Sequence, residues 1–234
     1  MKIVILTGAG ISAESGISTF RDAGGLWENH PIADVATPEG FARNPDLVHR
    51  FYNQRRLALK TVEPNPAHIA LAKLEAGLQS KGGALTLVTQ NVDNLHERGG
   101  SQSVIHMHGE LTSIRCTACG ARQHYEGETS PEMTCTNCNA PAMRPDIVWF
   151  GEMPFFMHGI EAALEGCDLF VSIGTSGAVY PAAGFVHMAR SMGKQTLEIN
   201  LEPSEGSASF GESRIGKAGT LVPLWVDEII ASLS

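Results

Sequence analysis

Four short apolar runs, each closed by small or polar residues, set the rhythm of the chain. Residues 3–6 precede Thr7-Gly8, and 85–88 precede Thr89-Gln90-Asn91. Residues 169–173 precede Gly174-Thr175-Ser176, and 196–199 precede Asn200. Runs of this length, rich in Val, Ile and Leu, suit parallel strands buried on both faces. Helix patterns lie between them. Asn65-Pro66 supplies an N-cap and a first turn, Leu71, Leu74 and Leu78 share a face, and Gly82-Gly83 stops the segment. Residues 181–192 and 226–233 predict two more helices. The alternation predicts an α/β, Rossmann-like doubly wound parallel sheet, whose ligands sit beyond the carboxyl ends of the strands. The polar tails of the four runs are therefore the expected site.

Two stretches break the alternation. About 24–63 carries Trp27, Pro31, Pro38, Pro45 and a short helical piece at about 47–59, and about 109–147 holds four cysteines among turn-rich sequence. Both are expected to be insertions that build a smaller lobe, one part helical and one a zinc ribbon. The Rossmann-like lobe then takes about 1–23, 64–108 and 148–234 of a single domain spanning 1–234.

Composition narrows the classes. With 43% hydrophobic and 18% charged residues the chain can bury a sizeable core. No apolar run approaches the roughly 18 residues of a membrane span. The apolar opening at 3–6 is too short for a signal peptide, so the cytoplasm is the expected location. A net charge of −8 with no basic run argues against nucleic-acid binding, which needs clustered Lys and Arg. The absence of long terminal extensions suggests a minimal, monomeric core.

Four of the five cysteines form two tight pairs, Cys116-Thr-Ala-Cys119 and Cys135-Thr-Asn-Cys138, with fifteen residues between them. That spacing is expected of a four-cysteine zinc ribbon. Gly120 and Asn139 stand where turn chemistry is wanted. Four thiolates leave no open coordination position, so the predicted zinc is structural. Cys167, before an apolar run, reads as a small core residue.

Gly8-Ala9-Gly10-Ile11-Ser12-Ala13 follows the first run and fits G-x-G-x-x-G/A, in which glycines let the backbone approach a pyrophosphate. By itself the motif is unspecific. The acidic residue of a standard dehydrogenase, about twenty positions on, is not evident.

The continuation is more specific. GAGISAESGISTFRD from 8 to 22, TQNVDN from 89 to 94, His106-Met107-His108-Gly109, the four cysteines, Gly174-Thr175-Ser176 and Asn200 occur in this order. Together they closely resemble the sirtuin family of NAD-dependent protein deacylases. The resemblance implies NAD as co-substrate and acylated-lysine proteins as substrates, with nicotinamide and 2′-O-acyl-ADP-ribose as products. It implies that Gly8, Ala9, Gly10, Ile11, Ser12, Ser15, Gly16, Thr19, Phe20, Arg21, Asp22 and Trp27 surround the pyrophosphate and nicotinamide ribose, with Phe20 shielding the reacting carbon. Gln90, Asn91 and Asp93 would meet the ribose and nicotinamide amide. Gly174, Thr175, Ser176, Asn200, Leu201 and Glu202 would meet the adenosine side, and Ala218 the adenine. His108 matches the catalytic base, with Asn91 beside it in the catalytic set. Periodicity alone does not separate His108 from His106; the family motif does. Val148, Trp149, Phe150, Gly151 and Glu152 match the strand that pairs with the substrate backbone.

Tyr52 and Arg55 stand three apart on the predicted helix and share a face. The spacing alone also suits a solvated helix face. With Ala36, which matches a pocket-widening small residue, the pair resembles the sirtuin branch that removes succinyl and malonyl groups as well as acetyl. A guanidinium fork and a phenol suit a carboxylate at the end of the acyl chain. Two other readings of the same residues are a mono-ADP-ribosyltransferase and a catalytically inactive zinc-ribbon adaptor.

Overall fold

The computed structural model describes residues 1–18 and 26–233, without the side chain of Leu26. The chain opens with β1 (Lys2–Thr7) and a short α1 (Ala9–Ser12), then a small hairpin of β2 (Leu26–Trp27) and β3 (His30–Pro31). Three helices follow, α2 (Ile32–Val35), α3 (Pro38–Arg43) and α4 (Pro45–Ala58), and then α5 (Pro66–Ser80). Next come β4 (Ala84–Thr89), α6 (Leu95–Arg98), β5 (Val104–His106), β6 (Gly109–Cys116), β7 (Arg122–His124) and β8 (Met143–Ile147). The chain closes with α7 (Met157–Gly166), β9 (Leu169–Ile173), α8 (Phe185–Ser191), β10 (Gln195–Asn200), β11 (Glu212–Ile215) and α9 (Ala218–Ser232).

Six strands form one parallel sheet in the order β11-β10-β9-β1-β4-β5. Counted along the sheet from β5, this is the 3-2-1-4-5-6 order of a dinucleotide-binding fold. The order reverses between β1 and β9, so the crevice opens at Gly8 and Gly174. All four predicted strands are present. β1 shows why its run is continuous: Ile3 and Ile5 face a core under α5 and α9, while Val4 and Leu6 face a second core under α7 and α8. Cys167 lies in that second core, as expected.

Asn65 caps α5, accepting from the Ala67 N–H, while His68 Nδ1 accepts the Asn65 N–H in return. The terminal helix departs from the expectation. It begins at Ala218, not 226, and carries Pro223 inside it. Burial of Val222, Trp225 and Val226 against the sheet offsets the roughly 3 kcal/mol that an interior proline costs. The predicted helix at 181–192 is a 3-10 turn, Ala182–Gly184, leading into α8. β5, β11 and α7 are additional elements.

The cysteine stretch builds its own antiparallel sheet, β7-β6-β8. The stretch from β2 to α4 packs its Val35, Val48, Phe51 and Tyr52 onto Leu111, Ile147 and Trp149 of that second sheet and its exit.

At the reversal point the turns after β1 and β9 touch: the Gly8 N–H donates to Ile173 O at 3.0 Å and the Gly10 N–H to Gly174 O at 2.9 Å. A Cβ on Gly10 would lie 2.7 Å from Gly174 Cα, which no backbone adjustment of one turn alone relieves. Gly10→Ala should therefore destabilise the protein by about 2–3 kcal/mol, read as a lower urea midpoint; an unchanged midpoint would show that the two turns are not locked together.

Candidate active site

One cleft of about 850 Å³ runs from the reversal point to α4. Gly8, Ala9, Gly10 and Gly16 line one end with Gly174, Thr175, Ser176, Asn200, Leu201, Glu202 and Ala218. Gln90, Asn91, Asp93 and His108 line its middle, and Ala36, Tyr52, Arg55 and Val148 to Glu152 the far end. The glycines do two jobs here. Gly8 and Gly10 let two backbones cross, and the crossing leaves a floor free of side chains on which a pyrophosphate fits.

Asn91 ties a third turn to this floor. Its Nδ2 donates to Gly8 O at 3.2 Å and to Ser12 Oγ at 3.1 Å, and among the described residues its amide oxygen has no partner. Ser12 donates to Asp93 Oδ2 at 3.1 Å, and Asp93 Oδ1 accepts the Leu95 N–H. Burial raises the Asp93 carboxyl above its ordinary value despite these hydrogen bonds. Behind Ser12 lie two buried imidazoles, His68 and His96, with rings 5.0 Å apart. His68 Nδ1 accepts from Asn65, so its Nε2 carries the proton toward Ser12 Oγ. His96 Nε2 meets Thr7 Oγ1 at 3.0 Å. Burial holds both rings neutral, pushing His68 down to about 4 and His96 well below the usual range.

His108 is half-buried, and its Nδ1 lies 3.1 Å from Gln90 O. A carbonyl only accepts, so Nδ1 carries the hydrogen and Nε2 is left as the basic nitrogen. Burial lowers the His108 pKa, and the Gln90 bond offsets this only in part. His106 is engaged differently. It lies buried against Glu97 Oε1 at 2.7 Å and Asn91 O at 3.3 Å and does not line the cleft.

At the far end the Trp149 Nε1–H donates to Tyr52 Oη at 2.9 Å, which leaves the phenol its own proton to give. Arg144 stacks on the Trp149 ring with its guanidinium carbon 3.2 Å from the centroid, and it forks onto both Glu152 oxygens at 2.7 and 3.0 Å. Burial opposes the Glu152 charge, but the Arg144 bonds outweigh it and hold the carboxyl below its ordinary value.

The four cysteine sulfurs lie within 4.8 Å of one another, with Cys116–Cys138 and Cys119–Cys135 both 3.7 Å apart. Tetrahedral Zn–S bonds of about 2.3 Å put sulfurs about 3.8 Å apart, so the set fits one zinc ion with no open position. Gly120 and Asn139 take the left-handed conformation that closes each turn.

The Sir2 family model matches residues 8–181. This chain belongs to the Sir2 family. A Vibrio cholerae protein named "NAD-dependent protein deacylase" is 61% identical over 233 residues, covering 98% of this chain and 94% of that one. A Sir2 homologue solved with NAD superposes with a TM-score of 0.87 at 37% identity, covering 100% of this chain and 91% of that one. A Sir2 bound to acetylated peptide has a TM-score of 0.82 at 28% identity, over 100% and 94% of the two chains.

Some motif residues of this Sir2 protein lie off the cleft. Ile11 is core, Ser12 is buried beneath the cleft, and Ser15 accepts from Asn65 Nδ2. Trp27 lines the far end of the cleft, with its ring centroid 5.9 Å from that of Tyr52. Thr19, Phe20, Arg21 and Asp22 lie outside the described residues. Residues 148–152 are not a strand: β8 ends at Ile147, and the N–H groups of Val148, Trp149 and Phe150 donate to His108 O, Glu152 Oε2 and Ala36 O. Glu28 and Lys217 also line the cleft, and no motif pointed to them; Glu14 and Val92 line it too, from inside motifs in which only their neighbours were singled out.

The neutral histidines give a pH signature. His68 is depressed in the fold, so between about 6.5 and 4 the unfolded chain binds a proton that the folded one refuses. Stability is then full above 6.5 and falls with acid, by up to about 3 kcal/mol at pH 4. Thermal melts should show His68→Gln losing less on acidification than the wild type; parallel losses would refute a neutral His68.

Proposed function

We propose that this Sir2-family chain removes acyl groups from protein lysine side chains with NAD as co-substrate, taking succinyl and malonyl as well as acetyl. One observation carries the reading. A single cleft joins the glycine floor, the Nε2 of His108 and the Tyr52–Arg55 pair.

Bound NAD supplies the ADP-ribosyl group that accepts the acyl group, so that nicotinamide and 2′-O-acyl-ADP-ribose are released. The residues of the chain arrange and protect that exchange. Gly8, Gly10 and Gly174 leave backbone room for the phosphates, and Asn200, Leu201, Glu202 and Ala218 border the adenosine end. Asn91 and Asp93 present a free amide oxygen and a carboxyl to the middle of the cleft. His108 Nε2 takes the proton of a sugar hydroxyl, since Gln90 fixes its tautomer and burial keeps it neutral at pH 7.

At the far end Arg55 offers charge and Tyr52 a hydroxyl to an acyl carboxylate, while Ala36 leaves space. The zinc does not face the reaction. It would tie Cys116, the last residue of β6, to Cys135 and Cys138 in the turn that leads to β8, and the far ends of these two strands adjoin His108 and Val148, joined by the Val148 N–H donating to His108 O at 2.8 Å. The helical and cysteine stretches together act as the small lobe that frames the cleft.

Among the described residues no helix is long and apolar enough to cross a membrane. Our reading is a cytoplasmic, monomeric enzyme acting on proteins and not on nucleic acid, in keeping with the net charge of −8. The test of acyl choice is Arg55→Met, assayed on one peptide carrying either succinyl or acetyl lysine. A lost charged hydrogen bond should lower kcat/KM for desuccinylation about 10- to 100-fold and for deacetylation far less. Equal loss of both would remove the assignment of Arg55.

A further inference from the structure

Arg55 is four-fifths buried at the acyl end, where a guanidinium needs a counter-charge, and the Phe51 ring sits 5.1 Å from its guanidinium carbon. Among the described residues its ion-pair partner is Glu28, whose Oε2 lies 3.2 Å from Nη1. The two charges are matched, but the contact lacks hydrogen-bond alignment. Nη1 is buried and, among the described residues, has no hydrogen-bond partner. The fork of Arg55 is thus neutralised without being filled.

Glu28 reaches Arg55 from a tight turn. Glu28 and Asn29 are the two central residues between β2 and β3, with φ of 49° and 65°. Turns of this kind favour Asn-Gly, and a Glu in the left-handed region costs roughly 1 kcal/mol or more. His30 Nδ1–H donates to Glu28 O at 2.9 Å and holds the turn. The backbone is fixed, while the carboxylate, about a third exposed, lines the cleft on a flexible stem.

We propose that Glu28 is a specificity-determining residue of the deacylation. Its carboxylate stands at Arg55 when the pocket holds no acidic acyl group, and the carboxylate of a succinyl or malonyl group displaces it. The inference rests on the reading of Arg55 given above. It explains how one pocket serves two substrate classes. With acetyl in place, Glu28 keeps the pocket neutral, so the acyl methyl does not face an uncompensated charge. With succinyl in place, the incoming carboxylate takes over the counter-charge and fills the fork, while Glu28 turns to water. Acidic acyl groups therefore bind against an internal competitor.

The experiment compares kcat and KM of the wild type, Glu28→Gln, Arg55→Met and the double variant on one peptide with succinyl or acetyl lysine. Removing the competitor should lower the succinyl KM of Glu28→Gln about two- to fivefold, the strength of a partly exposed ion pair. The succinyl-to-acetyl ratio of kcat/KM should rise accordingly, and the double variant should show no such gain over Arg55→Met. A succinyl KM that rises would mean that Glu28 only positions Arg55, and one that does not change would mean that it does not compete; either overturns the proposal. Both leave the Arg55→Met loss intact. If Arg55→Met itself spares desuccinylation, the prior reading of Arg55 has failed instead.

Discussion

The turn after β1 and the turn after β9 cross backbone to backbone, with the Gly10 N–H bonded to Gly174 O at 2.9 Å and the Gly8 N–H to Ile173 O at 3.0 Å. Side chains are excluded from that crossing, so the reversal point of the sheet becomes a smooth floor. The third turn is tied in when Asn91 donates to Gly8 O. That bond places Gln90 next door, and the Gln90 carbonyl sets which nitrogen of His108 is basic. A contact between glycines thus reaches His108, the proposed base, in three steps. The buried polar residues beneath it, Ser12, His68 and His96, fix these turns from below without entering the cleft, and Asp93 joins them while lining the cleft itself.

The far end depends on a second chain of contacts. β6 pairs with β8 beside the cysteine site, with Cys116 opposite Met143, and Arg144, 5% exposed on β8, joins Glu152 and the Trp149 ring. Trp149 in turn aims Tyr52. The four-cysteine site and the far end of the cleft, the proposed acyl pocket, are therefore coupled through packing, although they share no atom. Removal of any one link would leave a buried charge or hydrogen-bonding group without its partner, which is costly in a dry interior.

Much of this was legible in the sequence, for physical reasons. Central strands such as β1 and β9 are buried on both faces, so they must be continuous apolar runs. The edge strands gave no such signal: β11 reads Glu-Ser-Arg-Ile and is largely exposed, and β5 has three residues. The start of α9 is not legible because Pro223 marks a break locally, while the burial that overrides it comes largely from α5, far earlier in the chain. Cysteine spacing reports metal geometry directly, because both ligands of a pair lie in one turn. The segment at 148–152 reads as strand by analogy, yet its N–H groups are taken up by His108, Glu152 and Ala36. Glu28 carried no motif at all. Its meaning lies in an ion pair to Arg55, twenty-seven positions on, that only the folded hairpin brings together.

On the proposed reading the cleft unites a base, a glycine floor and an acyl pocket, so that the acyl group takes part in cleaving NAD. The most direct measurement is nicotinamide release from NAD in the presence of one peptide, with its lysine acylated or unmodified. Release should depend on the acyl group and match the deacylated peptide one for one. Equal release with unmodified peptide, accompanied by ADP-ribose on the peptide itself, would contradict deacylation and assign the cleft to ADP-ribosyl transfer.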